Sequence, residues 1–204
     1  MNNIATIIVG LAYTPIMLRL LGQSEYGLYS LVGSIVGYLS VLDMGLGDTV
    51  VRYTARNRAD ETKKKEAELN GLFLFVYSII GLVALLVGFI LYANIDNLFG
   101  RTLSIGEMHR ARIMMLLLIF NFALSFPLSI FSSIMNAYER FIFLRVTNIL
   151  RVVLNPLLVL PFLFWGYGSV MMVVVSTALN FACLLANMFY CLKFLHVQFC
   201  TWTF

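Results

Sequence analysis

RLLGQSEYGLYSLVGSIVGYLSVLDMGLGDTVVRYTAR, residues 19–56, poses the question on which the fold turns. Arg19 puts a charge inside one apolar run, Asp43 and Asp48 sit near the end of the next, and Arg52, Arg56 and Arg58 follow at once. On a soluble helix such charges would be ordinary. Here the surroundings are too apolar for water. Of 204 residues, 61% are apolar and only 12% are charged, and the mean hydropathy is +0.90. A soluble domain is about half apolar and a quarter charged. A chain of this length cannot bury so much apolar surface against itself, so its solvent is lipid.

Working outward from that stretch, the chain divides into membrane-length segments. A helix crossing the hydrocarbon needs roughly 20 apolar residues. Three segments meet this without a charge: 72–92, 113–137 and 170–192. Three more are punctuated. Segment 4–21 carries Pro15 and Arg19, and 26–51 carries the two aspartates. The last, 146–165, follows Arg145, and its helix is expected to start near that residue and take Arg151 with it. The expected fold is therefore all-α, a polytopic membrane bundle of about six spans forming a single transmembrane domain over residues 1–204. The connections are too short for a soluble domain, and there is neither a low-complexity tract nor an internal repeat.

A net charge of +4 and a pI near 9.1 would suit nucleic acid, but no basic patch comes with a soluble fold. The cations read instead as loop residues that set topology. With the N-terminus in the cytoplasm, the inner side holds ten: Arg52, Arg56, Arg58, Lys63, Lys64, Lys65, Arg140, Arg145, Arg151 and Lys193. The outer side holds four: Arg19, Arg101, Arg110 and Arg112. Both termini are expected inside. The three lysines at 63–65 lie beside Asp60, Glu61, Glu66 and Glu68, which reads as a solvated mixed-charge segment. The opening MNNIATIIVG has no basic region before its apolar stretch and no cleavage-like site, so it does not read as a signal peptide.

Nothing resembles a catalytic constellation. His109 and His196 fall in a loop and a tail, and Cys183, Cys191 and Cys200 lack metal-ligand spacing. No catalytic residue, metal or cofactor is expected, and the chain does not read as an enzyme. Without an ATP motif, any transport would be driven by an ion gradient or by another protein.

The polar residues inside spans carry the remaining information, because ionisable groups there are costly and usually face the bundle interior. Arg19 either faces that interior or snorkels to the headgroups. Asp43 lies roughly 25 Å along its segment from Tyr26 at 1.5 Å per residue, so it is far in depth from Arg19. Asp48 and Arg52, four apart, could pair along one helix face, or the aspartates could simply end the helix beside Gly45 and Gly47. All four prolines, Pro15, Pro127, Pro156 and Pro161, lie in spans. So do Asn121, Ser125, Asn136, Asn155, Ser176, Asn180 and Asn187, which read as interhelical hydrogen-bonding groups.

The stretch quoted above resembles the N-terminal signature of the polysaccharide biosynthesis (oligosaccharide flippase) family. That family belongs to the superfamily of multidrug, oligosaccharidyl-lipid and polysaccharide exporters. Its pattern has arginine, two apolar residues and glycine, then a loop ending in Tyr-Gly, then a span closing on Asp-x-Gly-x with an arginine soon after. The matching positions are Arg19, Gly22, Tyr26, Gly27, Asp43, Gly45 and Arg52. The match covers about the first 60 residues, and beyond it the span pattern and the aromatic-basic YERFIFLRVTNILR agree. The resemblance implies a bacterial inner-membrane protein that moves lipid-linked oligosaccharide for O-antigen or capsule. It also implies two lobes, of which six spans would be one, so the chain is expected to be a partial, N-terminal one. The missing wall would come from a C-terminal lobe or a homodimer. The substrate's diphosphate makes Arg19 and Arg52 candidate partners. Asp43 and Asp48 complete the candidate substrate-binding set and leave a cation-coupled drug exporter open. A non-transporting assembly protein is a further alternative. A membrane-embedded sugar transferase is disfavoured, because no loop is large enough to hold its chemistry.

Overall fold

A computed structural model describes residues 2–38, 45–59, 63–99 and 103–195. Asp43, Asp60, Glu61, Arg101, His196 and Cys200 lie outside them. Among the described residues the fold is all-helical, with seven helices: α1 (Asn2–Gly37), α2 (Leu46–Ala59), α3 (Lys63–Ala93), α4 (Ile95–Phe99), α5 (Ile105–Ala137), α6 (Phe141–Phe164) and α7 (Gly168–Phe194). Four stretches are long and apolar enough to cross a membrane: Ala67–Ala93, Ile105–Ala137, Phe141–Phe164 and Gly168–Phe194.

Helix α3 shows why the chain adopts this form. Phe75, Ile79, Leu82, Leu86 and Ile90 recur at helical spacing, and all are exposed. The opposite stripe, Tyr77, Gly81, Ala84 and Gly88, is buried. Large apolar groups face outward and small ones inward, the reverse of a soluble helix. That pattern is stable only in lipid, where close approach of backbones drives helix association. A Cβ on Gly81 would lie 2.6 Å from the Ala123 carbonyl oxygen, and one on Gly88 would lie 2.6 Å from Ile119. The Ala123 carbonyl is the one that Pro127, lacking an N–H, leaves without its helical donor. Helix α3 thus packs its glycine against the place where α5 is loosened.

Helix α5 is the axis of the bundle and packs against α3, α7, α2, α1 and α6. Its 33 residues reach about 50 Å, well beyond a hydrocarbon core of about 30 Å, so its ends project into the interfaces. Around it lie three apolar clusters. One joins Val50, Tyr77, Phe126, Ile130, Ile134 and Leu144 near the C-terminal end of α5. A second joins Leu28, Val32, Ile95, Met114, Met115 and Val173 near its N-terminal end. The third, with Met17, Val159, Leu163 and Met172, seals α1 against α6 and α7.

Two expectations are corrected, and a third, that the last punctuated helix takes Arg151 with it, holds. The segment 26–51 is not one helix: α1 ends at Gly37, Gly45 has φ +77°, and α2 starts afresh at Leu46. Asp48 and Arg52 therefore ride a separate 14-residue helix that extends into what was read as a loop. Helix α1 in turn runs through the expected GQSE connection and breaks only at Gly22, where φ is 79° and ψ 167°. Helix α6 begins at Phe141, a full turn before Arg145, so both Arg145 and Arg151 belong to it.

Candidate functional site

Helix α6 brings together side chains that composition alone left scattered. Leu144, Asn148, Arg151 and Asn155 fall at intervals of four, three and four, which places them on one face. That face looks toward the C-terminal half of α5 and the C-terminal half of α7. Between the three helices is a cavity of about 490 Å³. Its polar lining comes from Ser132 and Asn136 of α5, Arg145, Thr147, Asn148 and Arg151 of α6, and Asn187 of α7. Phe141, Leu144, Cys183 and Leu184 complete the wall. The volume is in the range of ordinary ligand pockets. Among the described residues the lining holds two guanidiniums and no carboxylate.

A ladder of uncharged polar groups leads away from this cavity along the α5–α7 seam. Asn187 Nδ2 donates to Ser132 Oγ at 3.0 Å at the cavity wall. Further along, Asn180 Nδ2 donates to Asn121 Oδ1 at 2.7 Å and to Ser125 Oγ at 2.8 Å. Asn121 Nδ2 donates to Thr177 Oγ1 at 3.1 Å, and Asn155 Nδ2 of α6 donates to Ser176 Oγ at 3.0 Å. These bonds realise the interhelical role expected of Asn121, Asn155, Asn180 and Asn187. One atom stands apart. Asn187 is only 6% exposed, yet its Oδ1 has no hydrogen-bond donor among the described residues. A buried acceptor without a donor costs free energy unless something else supplies one.

At the opposite end of the bundle Ser24 bonds to Glu107, and Glu25 and Asp96 pair with Arg110 and Arg112, two of the expected outer-side cations. The break at Gly22 turns the following residues toward the N-termini of α5 and α7. There Ser24 Oγ donates to Glu107, and Arg110 Nη1 donates to Glu25 Oε1 at 2.5 Å. The second Glu25 oxygen accepts the backbone N–H of Ser169 at 3.1 Å. Glu107 also closes a capping box with Ser104, whose side chain accepts the Glu107 N–H while its own N–H donates to Glu107 Oε2 at 2.9 Å. The SIGE spacing at 104–107 is a legible signal for that cap. Beside it Arg112 Nη2 donates to both oxygens of Asp96, at 2.6 and 2.5 Å.

The residues singled out from the sequence are not gathered in either place. Arg19 is exposed on the first arm of α1, and Asp48 and Arg52 are exposed on α2. Although four residues apart, Asp48 and Arg52 form no ion pair; among the described residues those pairs are Arg110–Glu25 and Arg112–Asp96. Asp43 is outside the described residues. Arg145 and Arg151 were visible in the sequence only as topology-setting cations, because their convergence with Ser132 and Asn187 depends on helix packing.

No curated protein and no solved structure gives a significant match to this chain. A family model does, over residues 1–202, and it is described as that of a polysaccharide biosynthesis protein. With four membrane-competent helices in an all-helical bundle and a match over nearly its whole length, the chain belongs to the polysaccharide biosynthesis protein family.

Proposed function

We propose that this chain is one lobe of an exporter that moves lipid-linked oligosaccharide across the bacterial inner membrane during O-antigen or capsule assembly. The observation that carries this reading beyond family membership is the charge of the cavity. Two arginines and a set of hydroxyl and amide groups, with no carboxylate among the described lining residues, suit an anionic, hydroxyl-rich substrate. A drug or cation exporter would need acidic groups in that place. The exposed faces of α1 and α2, with Arg19, Asp48 and Arg52, then turn toward a second lobe or a second copy of the chain, and the guanidiniums of Arg19 and Arg52 meet substrate from the shared side. Alternating access by two such lobes is a common transporter device.

The test uses a strain lacking its own exporter, with surface polysaccharide and efflux of a cationic dye measured in parallel. The chain by itself should restore neither. Co-expressed with the C-terminal half of a full-length family member, it should restore polysaccharide and leave dye efflux at background. In that pairing Arg19→Ala should abolish export with the protein still in the membrane. Arg19→Lys should recover little, because a flexible ammonium does not replace a planar fork. Dye efflux without polysaccharide would overturn the reading in favour of a drug exporter.

A further inference from the structure

We infer that the α5–α6–α7 cavity is a binding site for a sugar diphosphate, with Arg145 and Arg151 holding the phosphates and Asn187 Oδ1 accepting a sugar hydroxyl. The inference deepens the proposed function and rests on it for the identity of the natural substrate. Its own support is local.

Arg145 and Arg151 stand six residues apart on α6, about 9 Å along the axis at 1.5 Å per residue, and both line the same cavity. Two guanidiniums at that spacing can grip two phosphate groups from opposite ends, each by paired N–H donors. Neither forms an ion pair with a carboxylate among the described residues, so their donors are not already committed to one. Lone arginines at the edge of a membrane would be explained by snorkelling. These are accompanied by Asn148, Thr147 and Asn136, which snorkelling does not require.

The second observation is the orphaned acceptor. Asn187 Nδ2 is fixed on Ser132 Oγ, which sets the amide plane and leaves Oδ1, in a buried position on the cavity wall, without a donor among the described residues. Phosphate cannot satisfy it, since an ionised phosphate only accepts. A hydroxyl can. Arginines for phosphate and a buried carbonyl for a hydroxyl together describe a phosphorylated sugar rather than inorganic phosphate alone. A phospholipid with a glycerol headgroup offers the same two features, so the experiment separates the two sources.

Cys183 lies in the cavity wall, half-buried, with its thiol 3.8 Å from the Thr147 carbonyl oxygen, and serves as a native reporter. The full chain, carrying Cys191→Ala and Cys200→Ala so that one thiol remains, is placed in phosphatidylcholine nanodiscs. The rate of Cys183 alkylation by a neutral maleimide is then followed against inorganic pyrophosphate, a short-chain polyprenyl diphosphate disaccharide, and phosphatidylglycerol blended into the disc. Both diphosphates should slow alkylation, the disaccharide at lower concentration, and phosphatidylglycerol should not. Arg151→Gln should raise the concentration of pyrophosphate needed about tenfold or more, the change expected on losing a charge-assisted hydrogen bond. Asn187→Ala should erase the advantage of the disaccharide while keeping protection by pyrophosphate, and that protection shows that the variant is folded.

Protection by phosphatidylglycerol alone would overturn the assignment, giving the site to a membrane headgroup. Failure of all three to protect would overturn it outright, as would equal protection in Arg151→Gln. The site and the export reading fail separately. Pyrophosphate protection with no polysaccharide export in the paired strain sinks export and leaves the site. Export that survives Arg145→Gln combined with Arg151→Gln sinks the site and leaves export.

Discussion

At the scale of single residues, the motif glycines are explained by backbone angles. Gly22, with φ 79° and ψ 167°, occupies a region that only glycine enters freely. Gly27, in the same motif, lies within the helical arm beyond the break. A Cβ would meet nothing within 4 Å at either position, so space does not distinguish them. Conformation does. Gly22→Ala should therefore destabilise the folded bundle by about 1–3 kcal/mol, whereas Gly27→Ala should be neutral or stabilising by up to about 1 kcal/mol, as in a helix interior. Unfolding by denaturing detergent, followed by circular dichroism, measures both. Equal effects at the two positions would remove the kink from the account of the motif. Glu25 and Arg110 show the complementary lesson. Neither is unusual as a residue, and they acquire meaning only when the Gly22 break sets one against the other.

Between elements, the α3–α5 seam brings two glycines of α3 into close approach with α5. Its two glycines differ in what a methyl group would strike. At Gly81 it meets the Ala123 backbone carbonyl, and at Gly88 the side chain of Ile119. A side chain can change rotamer, but a carbonyl at the centre of a packed helix cannot move without its helix. Gly81→Ala should then be the more damaging, in the range of about 1–3 kcal/mol typical of overpacking, with Gly88→Ala milder. The same detergent titration reads the order, and the reverse order would mean that α5 yields at its Pro127 break. The polar ladder on the other side of α5 works differently. Each of its bonds contributes modestly in lipid, about 0.6 kcal/mol on average. Its effect is to fix the register of α5 against α7, and register is what places Asn187 at the cavity wall.

For the whole molecule, two sets of polar groups lie at opposite ends of the bundle. Gly22 to Glu25, Asp96, Ser104 to Arg112 and Ser169 meet at one end. Arg145, Arg151 and Asn187 lie at the other. On the expected topology ten cations fall on the second side and four on the first, so the second side should be cytoplasmic. Cysteines introduced at Lys64 and at Gly106 should report it, in a background without native thiols: the first blocked from impermeant maleimide in intact cells, the second labelled. The opposite pattern would invert the bundle and place the cavity on the outer face, where a substrate made in the cytoplasm could not enter it.

The sequence by itself determined the solvent, the helical class and the family. Each of these depends on sums or local patterns: 61% apolar residues, charge-free runs of membrane length, and the Arg19–Gly22 and Asp43–Gly45 motif. It also announced the interhelical role of Asn121, Asn180 and Asn187, since an amide in a span has few other partners. It left open whether segment 26–51 divides near Gly45, because a glycine in an apolar run is equally compatible with an unbroken membrane helix. Nor did it distinguish Arg145 and Arg151 from any other inner-side cations. Their shared cavity with Ser132 and Asn187 joins residues from three helices up to 55 positions apart in the chain. Only packing decides which faces of α5, α6 and α7 meet, because the angle and register of a helix pair are set by interlocking surfaces rather than by either helix alone.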